Sequence, residues 1–65
     1  MNEQTLQNFR AFTKLYGYVR FFHPSDEASS IDWDKFAVYG FEKVENARND
    51  NELKAHLLEL FLPIA

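Results

Sequence analysis

A long apolar stripe at helical spacing constrains the start of this chain more than any other feature. Phe9, Phe12, Leu15, Tyr16, Val19 and Phe22 fall on one side when residues step by about 100°. Gln7, Arg10 and Lys14 fall opposite. This pattern predicts an amphipathic helix over about 3–22. Pro24 ends it, because a proline disfavours helical geometry in the residue before it. His23 then stands at or beyond the helix C-terminus.

Two further segments carry the same period. Trp33, Phe36, Ala37, Gly40, Phe41, Val44 and Ala47 form a stripe that predicts a helix over about 33–48. Asp32 is placed to cap it, and Ile31 and Phe36 have the spacing of a hydrophobic staple. Gly40 lies in mid-stripe, where glycine costs about 1 kcal/mol relative to alanine. Close approach by a neighbouring backbone or ring is the expected return. Leu53, Leu57, Leu60 and Phe61 predict a third helix over about 51–61. Asp50 or Asn49 is placed to cap it, Asn49 and Glu52 have capping-box spacing, and Pro63 marks its end. No segment alternates with strand period. The reading is all-α, a three-helix bundle with short joints and a single core.

Size and charge narrow the rest. Sixty-five residues leave room for one core only. The absence of cysteine excludes a disulfide scaffold and a cysteine-based zinc site. A net charge of −3 with no basic run argues against nucleic acid. A DNA-reading third helix would need a basic outer face, but Glu52, Lys54, His56 and Glu59 nearly cancel. No apolar run is long enough for a membrane span, and no signal peptide is visible.

Chemistry finds little support. His23, Asp26, Glu27, Asp32 and Asp34 lack the spacing of a metal site, so no metal or other cofactor is expected. Ser25, Ser29 and Ser30 lie near His23, but no G-x-S-x-G elbow supports a nucleophile. They read as turn and cap residues, and no catalytic residue is assigned. Arg20 is placed to pair with Asp26 or Glu27 or to bond local carbonyls. His56 is placed for a contact with Glu52 one turn earlier.

What the core stripes leave over is more informative. Tyr18, Phe21, Val38, Tyr39, Leu58 and Leu62 fall off them, one pair on each segment. Seven Phe, three Tyr and one Trp are many for this length. Either a small bundle buries its helices from more than one side, or these six residues face another domain or subunit; the docking surface is the expectation. The closing Leu62-Pro63-Ile64-Ala65, apolar and without a polar tail, reads as the edge of a domain cut from a longer chain.

Three stretches resemble a known family. They are Leu15-Tyr16-Gly17-Tyr18-Val19-Arg20-Phe21-Phe22-His23-Pro24-Ser25-Asp26-Glu27-Ala28, then Ile31-Asp32-Trp33-Asp34-Lys35-Phe36-Ala37 followed by Gly40, and Phe61-Leu62-Pro63-Ile64-Ala65. Together they resemble the N-terminal helical region of bacterial C-terminal-processing (tail-specific, tricorn-like) serine peptidases. The resemblance implies a non-catalytic domain that packs on or gates the catalytic region of the same polypeptide. It implies a parent that cleaves polypeptides with a serine located elsewhere, and a periplasmic, surface-bound or secreted location. None of that class's catalytic motifs falls on a residue of this chain. The alternative expectation is a free-standing helical interaction module that self-associates or binds a partner helix.

Overall fold

The computed structural model describes residues 1–22 and 30–64. They form three helices and no strand: α1 (Glu3–Phe22), α2 (Trp33–Glu45) and α3 (Asp50–Phe61). The expected three-helix bundle is the observed architecture. The most extensive packing is of α1 on α2, followed by α2 on α3, while α1 and α3 meet only weakly.

Both expected caps are formed. The Asp32 carboxylate accepts from the Lys35 backbone N–H at 3.2 Å, and the Asn49 side chain accepts from the Glu52 N–H at 2.9 Å. Each satisfies one of the orphan donors of a helix N-terminus. The capping box at Asn49 is offset. The Glu52 carboxylate accepts from the backbone N–H of Arg48, one residue before the cap, at 3.3 Å, and also faces the Arg48 guanidinium at 3.5 Å.

An aromatic cluster forms the centre. Phe12 is fully buried, and its ring meets Tyr16, Phe36, Phe41 and Phe61 at centroid distances of 4.9–6.1 Å. Such separations suit edge-to-face and offset contacts. Trp33 closes one end by an edge contact with Tyr16 at 5.3 Å. Gly40 sits beneath the Phe12 ring, which fills the space a Cβ there would occupy. The close approach expected at Gly40 is therefore made by a ring.

Four expectations need correction. The second helix ends at Glu45, not near Arg48, with Asn46 as its C-cap. Ala47 is still buried, because the turn after the helix carries it back to the core, where its N–H reaches the Val44 carbonyl at 3.1 Å. Phe22, placed on the core stripe, is 74% exposed. The reason is length. Twenty residues make α1 about 30 Å long, whereas the thirteen of α2 span about 20 Å, so α1 runs past its partners. Ile64, counted with the ragged apolar end, is only 5% exposed, and its N–H donates to the Phe61 carbonyl at 3.0 Å. Lastly, the Glu52 carboxylate turns to Arg48, not to His56.

Candidate interaction surface

All six residues expected to face a partner are exposed, from 51% at Leu58 to 69% at Phe21. The structure divides them into three places. Tyr18, Leu58 and Leu62 come together between α1 and α3. They rim an open apolar groove of about 330 Å³ whose deeper members are Leu15, Val19, Leu57 and Phe61. Among the described residues, Lys54 is the only charged one lining it. A second depression of about 350 Å³ continues along α1 through Leu15 and Tyr18 to Ala11 and Lys14. The groove follows from weak packing of α1 on α3: each helix keeps an apolar strip that the other does not cover.

Val38 and Tyr39 lie apart on the outer side of α2. They share a shallow depression with Asp34, Lys35 and Glu42, and the Lys43 ammonium lies 6.0 Å from the Tyr39 ring. Phe21 is separate again, at the end of α1. The Arg20 guanidinium stands 5.1 Å from its ring and donates to the Tyr16 hydroxyl at 3.0 Å. That hydroxyl donates in turn to the Trp33 carbonyl at 3.1 Å. Arg20 thus joins the aromatic cluster, a role signalled in the sequence only by its four-residue spacing to Tyr16. Phe22 rests against Tyr18 at a ring distance of 6.0 Å and lengthens the exposed apolar strip of α1.

Electrostatic features are few. Lys43 of α2 and Glu59 of α3 form an ion pair at 2.7 Å. The hydrogen bond between them, helped by charge attraction, raises the Lys43 ammonium above its usual pKa and lowers the Glu59 carboxyl below its own. His56 is half-buried, with Nδ1 enclosed and, among the described residues, lacking a hydrogen-bond partner.

Sequence reasoning missed Asn8. It is fully buried, and its amide N–H group donates to the carbonyls of Val44 and Ala47, each at 2.9 Å. Its oxygen accepts from Gln4 at 2.9 Å, and Gln4 also reaches Asp50 at 3.3 Å. One short polar string therefore touches all three helices. The signal was available, since Asn8 precedes Phe12 by four residues and so shares its face.

His23, Ser25, Asp26, Glu27 and Ser29 lie outside the described residues. Among the described residues, no three His, Asp or Glu side chains gather as metal ligands. Among them, too, no helix is long and apolar enough to cross a membrane. Compared with protein-family models, with curated proteins and with solved structures, the chain matches none.

Proposed function

We propose that this chain is a non-catalytic docking domain, packing on or gating the catalytic region of a serine peptidase of the C-terminal-processing class. The observation that carries docking is the open groove between α1 and α3, rimmed by Tyr18, Leu58 and Leu62. Large apolar side chains gathered around a concave surface mark interaction sites, whereas singly scattered ones do not. The peptidase parent rests on the resemblance carried by the stretches around Arg20 and Trp33.

The mass of the native gene product tests the parent. A protein of several tens of kilodaltons with this sequence near its start, hydrolysing polypeptides through a serine elsewhere in the chain, is the expected result. A native product of 7.7 kDa would overturn it. The free-standing module would then be the better reading, since a groove between two helices suits an amphipathic partner helix.

A further inference from the structure

We propose that the groove formed by α1 and α3 receives an amphipathic helix that brings carboxylates to Lys14 and Lys54. This rests on the docking reading above and adds the chemistry of the segment that docks.

The charge around the groove is the first observation. The chain is acidic overall, with a net charge of −3. Yet among the described residues the charged ones lining the groove and its continuation are Lys54 and Lys14, with no acidic side chain beside them. Both lysines are exposed, and among the described residues neither forms an ion pair. An apolar trough between two unpaired ammonium groups is complementary to an apolar ridge flanked by carboxylates. Rim charges of this kind set orientation and suppress wrong partners.

Shape is the second observation. The groove runs between two helices and is walled by Tyr18 on one side and by Leu58 and Leu62 on the other. A helix laid along it presents anchors at i, i+3 or i+4, and i+7. Tyr18 supplies a rigid aromatic contact with a polar tip.

The same features disfavour the simplest alternative occupant. A second copy docked groove to groove would bring the same two lysines to the interface with no carboxylate to meet them, and like charges across an interface oppose association. The Val38 and Tyr39 patch offers no comparable selection, because Asp34, Lys35 and Glu42 around it mix both signs.

The test titrates the isotope-labelled chain with two synthetic peptides of about 18 residues, or five helical turns. Both carry one leucine stripe, flanked by glutamates in the first and by lysines in the second. The expected result is that the glutamate peptide shifts the amide signals of Leu15, Tyr18, Leu57 and Leu58. The lysine peptide should bind about tenfold more weakly, the scale of a few exposed charge contacts changing sign. Lys54→Glu or Lys14→Glu alone should remove most of the preference, and the two together should reverse it. Equal binding of the two peptides, no binding, shifts centred on Val38 and Tyr39, or dimerisation through the groove without peptide would each overturn the proposal. The native mass bears only on the peptidase parent, so the two readings fail separately.

Discussion

The ring of Phe12 lies where a side chain at Gly40 would have to be: a Cβ there would overlap Cε1 and Cζ of the ring and stand 3.2 Å from Cε2. This glycine is kept for space, as its backbone has ordinary helical geometry and no positive φ. Gly40→Ala should therefore destabilise the chain. Overpacking of about 1–3 kcal/mol outweighs the gain of about 1 kcal/mol in helix propensity. Gly17 makes the control, since nothing lies within 4 Å of its absent Cβ. Gly17→Ala should stabilise by roughly 0.5–1 kcal/mol. Urea unfolding of both variants checks the opposite signs, and two shifts of the same sign would refute the account.

Asn8 should be among the most sensitive polar positions. Asn8→Ala removes two donors from buried carbonyls and opens space at the contact of α1 with α2. A loss of about 2–4 kcal/mol is expected, from unsatisfied groups and poorer packing together. Asn8→Asp keeps the shape but sets a carboxylate against two carbonyls. Its loss should be larger at neutral pH and should shrink in acid, where the protonated group again donates. Thermal midpoints of both variants at neutral and acid pH are the measurement.

The pair of Lys43 and Glu59 contributes within a defined pH window. The Glu59 carboxyl is lowered from 4.5, so its contribution is present above that value and lost as pH falls through the folded-state pKa. The Lys43 ammonium is raised from 10.5, so its contribution is present below that value and lost as pH rises through its folded-state pKa. Glu59→Gln should lower the midpoint slightly between these limits, and the difference should vanish outside them and in high salt. A difference independent of pH would show that the pair is not its source.

Phe12 and Phe21 should separate core from surface. Phe12→Ala is expected to lose about 3–5 kcal/mol, on the order of the whole stability of so short a chain. Its near-ultraviolet dichroism should then be that of an unpacked chain. Phe21→Ser should shift stability by no more than about 0.5 kcal/mol. A loss of several kcal/mol at Phe21 would place it in the core and remove it from the interaction surface.

The sequence made much of this fold legible because its signals are local. Stripes at helical spacing, caps at Asp32 and Asn49, and a glycine in mid-stripe each act within one or two turns. The exposure of Tyr18 and Leu58 was legible for the same reason, as a mismatch with the stripe. Tertiary facts were less visible. Nothing local says that α1 outruns α2, so Phe22 keeps the right angle but has no partner there. Nothing local says that Asn8 meets the carbonyls at the end of α2, or that Ile64 folds back to the core. Spacing also could not gather Tyr18, Leu58 and Leu62 around one groove while setting Val38 and Tyr39 apart, because that depends on how α1 and α3 pack.

The buried amide of Asn8 gives this small bundle an axial index. Apart from the seat of Phe12 at Gly40, phenylalanine and leucine contacts have little directionality, so one helix sliding a turn past another would exchange them for similar ones. The amide of Asn8 has no such freedom. Its two donors meet the carbonyls of Val44 and Ala47 only when α1 stands at one height beside the end of α2. Any slipped arrangement would bury it unsatisfied. The greasy interior holds the helices together, and the buried amide, with the Phe12 ring seated at Gly40, fixes where along their length they stop.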